Sequence, residues 1–132
     1  MQDGVVGSSE KDLLHAEITK SIIGAAFEVF NQLGYGFLEK VYQRAMQVEL
    51  IARKLSAEIE GHLPVQYKGV TVGDYYTDIL VAGEVLVELK VASTYQNADE
   101  AQLLNALKAS DKRVGLIINF GRHKVEFRRF IL

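Results

Sequence analysis

The segment from Tyr75 to Val91 reads YYTDILVAGEVLVELKV, with two runs of alternating side chains on either side of Ala82-Gly83. Most of its positions carry aliphatic residues with a strong preference for β-strands, so the pattern predicts a tight β-hairpin. Three charged residues interrupt the two strands: Asp78, Glu88 and Lys90. Because side chains alternate across a strand, we expect the second and third of these to project from the same face.

The loop of this hairpin decides whether the three charges meet. A loop with an odd number of residues, Ala82 to Glu84, pairs Asp78 with Glu88 and places two carboxylates and an ammonium on one patch of the sheet. A two-residue turn would instead place Asp78 on the opposite face. A functional role for the three residues therefore requires the odd loop or a bulge.

Two neighbouring carboxylates repel each other and are costly to desolvate, so such pairs persist where a cation neutralises them. Mg²⁺ is a natural candidate, because it takes oxygen ligands and commonly uses one or two protein carboxylates together with substrate phosphate. The amine of Lys90 would then orient or help to deprotonate a water molecule, or offset charge on a phosphate. The alternative is a solvent-facing ladder of ion pairs, and the spacing alone does not decide between the two.

The chain has 132 residues, of which 48% are hydrophobic, and this is enough for one domain with a substantial core. We expect residues 1–9 to form a disordered tail and residues 10–132 a single domain. The absence of cysteine excludes disulfides, thiolate metal sites and a cysteine nucleophile. A net charge of −2 argues against a broad basic surface, so any nucleic-acid contact must be local or supplied by a partner. The pattern shows no membrane span or signal peptide, and we expect a cytoplasmic protein with no membrane partner.

Apolar residues at three- and four-residue steps predict two helices before the strands. The first runs from about Glu10 to Gly34 with Ser9 as its N-cap, and the second from about Phe37 to Arg53. The predicted buried stripe of the second helix consists of Leu38, Val41, Ala45, Val48 and Ala52. An adjoining face carries Glu39, Tyr42 and Met46. Glu39 has a plain alternative explanation there, because a carboxylate in the first turn favours the positive end of the helix dipole.

Extended structure is predicted for residues 57–72, with a break at Gly69. After the hairpin, Asn97 and Glu100 resemble a capping box that opens a helix ending near Ser110. The apolar run at residues 113–120 is typical of a strand buried on both faces, and residues 124–132 form a last strand. We predict an α/β fold of α+β character, a central mixed sheet flanked by helices in the order α-α-β-β-β-α-β-β. A right-handed crossover makes the strand at 113–119 parallel to that at 84–91.

This order, together with Asp78 and the run Glu88-Leu89-Lys90, resembles the restriction-endonuclease-like core of the PD-(D/E)XK nuclease superfamily. More narrowly, residues 36–42, GFLEKVY, resemble the signature of the small bacterial GxxExxY proteins, which are classed within that superfamily. The resemblance covers roughly residues 15–121. It implies that Asp78, Glu88 and the helical Glu39 bind Mg²⁺ or Mn²⁺, that Lys90 assists the attacking water, and that all four are catalytic.

Two further positions follow from the resemblance. Gln102 resembles the first residue of a Gln-x-x-x-Tyr element, although the tyrosine position is Ala106 in this chain. Tyr42 and Gln102 are predicted to support the catalytic groups or to position the substrate. The residue before Asp78 is Thr77 where the superfamily pattern has proline.

We therefore expect a metal-dependent nuclease that hydrolyses nucleic acid, with DNA as the expected substrate. Five basic residues are predicted to touch phosphates: Arg113, Arg122, Lys124, Arg128 and Arg129. Two alternatives stay open. One is a catalytically silent module of the same fold that binds or regulates within a larger protein assembly, and the other is a structural homo-oligomer.

Overall fold

The computed structural model describes residues 15–92 and 98–132. Along these residues lie α1 (Ala16–Leu33), α2 (Glu39–Ala52), β1 (Ala57–Tyr67), β2 (Val70–Val81), β3 (Val85–Lys90), α3 (Ala98–Ser110), β4 (Val114–Phe120) and β5 (Val125–Ile131). The predicted order α-α-β-β-β-α-β-β is confirmed. None of the helices in this described part is long and apolar enough to cross a bilayer. The predicted tail at residues 1–9, the Ser9 cap and the Asn97 cap lie outside the described residues.

The five strands form one mixed sheet in the order β1-β2-β3-β4-β5. β3 and β4 run parallel, as the sequence predicts, and the other neighbours pair antiparallel. The parallel register places Lys90 beside Asn119. Pro64 lies in β1, an edge strand, where a residue without an N–H group is tolerated.

The hairpin between β2 and β3 has the odd loop that a shared charged patch requires. Val81 pairs with Val85 and Leu80 with Leu86, which leaves Ala82 to Glu84 as the three-residue loop. Ala82 and Gly83 have positive φ angles of 55° and 67°, and the Glu84 N–H donates to the Val81 carbonyl at 3.0 Å. This register carries Asp78 and Glu88 to opposite positions on neighbouring strands.

Helices cover both faces of the sheet. On one face, α1 and α2 pack against the apolar side chains of β3 and β4, including Val87 and Leu89. On the other face, Leu103 and Leu107 of α3 pack against Leu86. Successive residues of β3 are therefore buried on alternate faces, which accounts for its nearly continuous apolar run.

The buried stripe predicted for α2 is wrong. Leu38 and Val48 are 78% and 66% exposed. The helix instead buries Tyr42, Gln43, Met46 and Leu50. The ring of Tyr42 stacks on Phe120 with centroids 4.3 Å apart, and burying an aromatic ring removes more apolar surface from water than burying a valine. The same rotation of the helix turns Glu39 and Gln43 toward the strands.

Candidate active site

The carboxylates of Asp78 and Glu88 meet where β2 and β3 separate. The β2–β3 ladder ends at the pair Ile79 and Val87. Beyond it, the Leu89 N–H donates to Asp78 Oδ2 at 2.7 Å, so a carboxylate takes the place of a strand carbonyl. Asp78 in turn lies within hydrogen-bonding reach of the Glu88 carboxyl group. The two acidic groups predicted to share a patch are therefore in contact.

The Glu88 carboxyl group is held by two hydroxyls of β2. The Tyr75 hydroxyl donates to Glu88 Oε2 at 2.9 Å, and Thr77 Oγ1 lies 3.1 Å from the same oxygen. Burial raises the pKa of Tyr75, and the nearby Glu88 charge raises it further, so the phenol stays a donor. Thr77 is fully buried, and it stands where the superfamily pattern has proline.

Burial has the largest effect on the pKa values of both carboxyl groups. Burial raises the pKa of Glu88 to about 7, and the Asp78 charge adds to the shift. Burial also raises the pKa of Asp78, while the hydrogen bond from the Leu89 N–H opposes that rise. Near neutral pH the proton on this pair can therefore be displaced by a metal cation.

Glu39 brings a third carboxylate to the same spot from the first turn of α2. It lines a cavity of about 80 Å³ together with Asp78, Leu89 and residues of α2 and β1. Burial raises the pKa of Glu39, and repulsion by Asp78 raises it further. The structure thus brings two of the three predicted acidic residues, Glu39 and Asp78, to one small cavity, and Glu88 is paired with Asp78 without lining that cavity.

Lys90 lies two residues beyond Glu88 on β3. Its Nζ lies 3.4 Å from Asp99 Oδ1 in the first turn of α3, and its side chain is 31% exposed. The Lys90 charge lowers the pKa of both Glu39 and Asp78, against the larger effect of burial. The amine is therefore close to the carboxylates and is held by an acidic partner that the sequence reasoning missed.

Gln43 and Glu60 were also missed. Gln43 is 7% exposed, and its Nε2 donates to Glu60 Oε2 and to the Asp78 carbonyl, both at 2.9 Å. One amide thus ties α2 to β1 and β2 beside the carboxylates. Glu60 has a positive φ of 55°, an irregularity of β1, and its charge raises the pKa of Asp78. A glutamine on the face of Glu39 and Tyr42 was the available signal in the sequence.

The donor set suits a hard divalent ion. Within residues 15–92 and 98–132, no three His, Asp or Glu side chains already stand close enough together to hold a metal, so the ligand set of Asp78, Glu88 and Glu39 stays a prediction. The two touching carboxylates nevertheless match the habit of Mg²⁺, which takes one or two carboxylates and completes its shell with water and phosphate. A cation beside them would offset the Asp78 charge, which raises the pKa of Glu88.

Neither Tyr42 nor Gln102 lines the small cavity that contains Glu39 and Asp78. Tyr42 is fully buried, and its hydroxyl donates to the Gly34 carbonyl, so it has no surface with which to touch a substrate. It supports the start of α2, which carries Glu39. Gln102 is exposed on α3 and lines a different cavity, of about 340 Å³, that also includes Tyr75. The roles predicted for these two residues are not tested by these contacts.

The five basic residues predicted to touch phosphates lie in or beside β4 and β5, of which β5 is the edge strand opposite β1. Arg113 precedes β4 at the end opposite Asn119, and its Nε donates to the Leu132 carbonyl at 3.3 Å. Arg128 forms an ion pair with Glu100 at 2.8 Å, and Arg129 belongs to the same edge strand, β5. Arg122 and Lys124 flank the β4–β5 turn, at the end of β4 where Lys90 lies. Their contacts with phosphate stay predictions.

The raised pKa of Glu88 predicts a pH-dependent stability in metal-free buffer. Folding lifts this pKa from 4.5 to about 7, so the stabilising contribution is fully present below pH 4.5 and is lost as the pH rises through about 7. Urea denaturation in EDTA is expected to show the free energy of unfolding falling by up to about 3 kcal/mol between pH 5 and pH 8 from this residue. Glu88→Gln should flatten that slope.

The matched control is Glu58→Gln on β1, an exposed glutamate without an ion pair among the described residues. Its pH profile should follow that of the parent protein. Comparing the two variants removes the contributions of the other titrating groups. An unchanged slope in Glu88→Gln would contradict the electrostatic description of the pair.

Comparisons with known proteins agree with this geometry. The family model of the PD-(D/E)XK nuclease superfamily matches residues 16–130. The crystal structure of SSO0001 is similar in fold, with a TM-score of 0.52 and 13% sequence identity over 70% of this chain. The match spans 48% of that structure, so this chain corresponds to about half of it. No curated protein matches the sequence. The mixed sheet with its flanking helices is the restriction-endonuclease-like fold, and the chain belongs to the PD-(D/E)XK nuclease superfamily.

Proposed function

We propose that this chain is a divalent-metal-dependent phosphodiesterase that hydrolyses nucleic acid, with DNA as the expected substrate and Mg²⁺ or Mn²⁺ as the cofactor. The observation that carries the proposal is the close approach of two half-buried carboxylates, those of Asp78 and Glu88, on the strand pair that also bears Lys90. Membership of the nuclease superfamily supports the reaction class. The narrower likeness of residues 36–42 to GxxExxY proteins belongs to the same proposal, with Glu39 as its acidic residue.

Each side chain has a role that its contacts support. Asp78 and Glu88 hold the ion, each oriented by donors that are already in place: the Leu89 N–H for the first and a β2 hydroxyl for the second. Glu39 binds the ion directly or through water. When bound, the ion supplies positive charge that polarises the phosphate and favours deprotonation of the attacking water. Lys90 positions that water or offsets the charge that develops on the phosphate.

Removing the metal is the direct test of the function. Purified protein is incubated with labelled single-stranded and double-stranded DNA in Mg²⁺, in Mn²⁺ and in EDTA, and the products are separated on denaturing gels. We expect fragments with either ion, none in EDTA, and recovery when excess metal is restored. Cleavage that persists unchanged in EDTA would contradict the proposal.

Titration calorimetry with Mn²⁺ separates the proposal from its rivals. The parent protein is expected to bind Mn²⁺, and Glu88→Gln to bind it at least about tenfold more weakly. Even the loss of a group that only orients a metal ligand typically lowers metal affinity by that factor. Glu58→Gln is again the matched control. Metal binding without any cleavage would favour the silent binding module, and absence of both would favour a structural role. Cytoplasmic location, a larger assembly and self-association stay predictions.

A further inference from the structure

A groove leads away from the candidate active site between α2 and β1. It has a volume of about 520 Å³. Its walls consist of Lys40, Gln43, Arg44, Gln47, Ile59 and Glu60. Three of these residues, Lys40, Gln43 and Glu60, also line the small cavity that contains Glu39 and Asp78. The groove is therefore continuous with the predicted catalytic carboxylates.

The two cations of this groove lack partners of their own. Lys40 and Arg44 are exposed and lie one helical turn apart on α2. Among the described residues, neither makes an ion pair or a side-chain hydrogen bond. Like charges four residues apart destabilise a helix, so folding alone gives no reason for this pair. An external anion would supply the missing countercharge.

The neighbouring amides hold the groove in shape. Gln43 donates to Glu60, and Gln47 Nε2 donates to the Ala57 carbonyl at 3.0 Å, so both fasten α2 against β1. The acidic end of the groove lies at the catalytic cavity, where Glu60 adjoins Asp78. The basic side chains lie along the helix wall, and Arg44 lines the groove without lining that cavity.

We propose that this groove binds the phosphodiester backbone of the substrate on one side of the scissile bond, with Lys40 and Arg44 contacting its phosphates. The inference rests on the proposed function, since it takes the cavity of Asp78 as the place of reaction. A net charge of −2 disfavours binding of nucleic acid by a broad basic surface, and the groove offers a local basic surface instead. None of the five basic residues predicted from the sequence lines this groove.

Binding is tested with a 20-nucleotide fluorescein-labelled DNA, single-stranded and as a duplex, by anisotropy in Mg²⁺. The Asp78→Asn background prevents cleavage during the titration. The test variant adds Lys40→Gln and Arg44→Gln. The control adds Lys20→Gln and Lys108→Gln, exposed lysines of α1 and α3 outside the groove, which change the net charge by the same amount. Melting curves confirm that both variants are folded.

We expect the groove variant to bind at least about tenfold more weakly than its parent, and the control to bind like the parent. Loss of two phosphate contacts should also make the salt dependence shallower, by about 1.4 in the slope of log K against log salt for single strands. In the otherwise unaltered protein, Arg44→Gln should raise KM and leave kcat unchanged, because the residue lies outside the catalytic cavity.

Failure of the inference looks different from failure of the proposed function. If the unaltered protein cleaves DNA but the groove variant binds DNA as tightly as its Asp78→Asn parent, the groove is not the substrate path and the nuclease proposal stands. If the groove and control variants lose DNA affinity equally, the inference is overturned too, because the affinity then depends on the net charge of the protein and not on the position of the cations. If neither parent nor variant binds or cleaves nucleic acid, both proposals fail.

Discussion

Replacing Asp78 by asparagine is expected to lower metal-dependent hydrolysis by roughly a thousandfold or more while making the metal-free protein more stable. An asparagine side-chain oxygen can still accept the hydrogen bond from the Leu89 N–H, so the local backbone is preserved. The change removes the charge that repels Glu88 and Glu39 and raises the pKa of each. Hydrolysis rates and thermal melting in EDTA at pH 8 measure the two effects on the same sample.

The opposite signs of the two effects make this prediction specific. Replacing a residue needed only for folding would lower both the activity and the stability of the protein. Replacing a metal ligand that repels its neighbours lowers the activity but raises the melting temperature by a few degrees. Asp74→Asn is the matched control, since it removes a carboxylate from the same strand at a position that is 53% exposed and paired with His62. A variant of Asp78 that melts at a lower temperature than the parent would contradict the repulsion described here.

The hairpin was predictable because local chemistry determines it. Alternation of side chains on either side of Ala82-Gly83 predicts the hairpin, whereas the loop length stayed open between an odd loop, a bulge and a two-residue turn until the register showed three loop residues. The parallel pairing of β3 and β4 followed from the helix between them. These are constraints between residues close in the sequence, so reasoning from the sequence reaches them.

The orientation of α2 was not predictable from apolar periodicity. Its valines and leucines form a regular stripe, yet Leu38 and Val48 face solvent. The buried face contains Gln43, which is polar, and the start of the helix carries Glu39 toward the strands. Helices that deliver polar groups to a site break the simple rule of apolar residues inside, so a pattern search selects the wrong face.

The partners of the catalytic residues were hidden for a different reason. Asp99 reaches Lys90 from another element, and Gln43 reaches Asp78 across 35 positions of the chain. No spacing rule links such residues, because the fold rather than the sequence separation brings them together. The Lys40–Arg44 groove was missed likewise, since its strand wall at Glu60 depends on an irregular backbone conformation in β1.

Lys90→Ala is expected to lower kcat by about a hundredfold to ten-thousandfold, the usual worth of a group that moves or orients a proton, with little change in KM or in Mn²⁺ affinity. The reason is that the amine lies beside the carboxylates without being a metal ligand, and Asp99 holds it there at 3.4 Å. Steady-state cleavage of labelled DNA measures kcat and KM, and calorimetry measures metal binding. Lys20→Ala on α1 serves as the control for loss of a lysine.

Lys90→Arg then distinguishes the two roles that the amine can have. A guanidinium keeps the positive charge but does not lose its proton at any pH that a protein tolerates. If Lys90 acts through charge alone, the arginine variant should recover much of the activity that alanine loses, and its pH profile should match that of the parent. If Lys90 takes part in deprotonating the water, arginine should be nearly as inactive as alanine. Full activity in Lys90→Ala would remove the residue from the mechanism, whatever the state of Asp78 and Glu88.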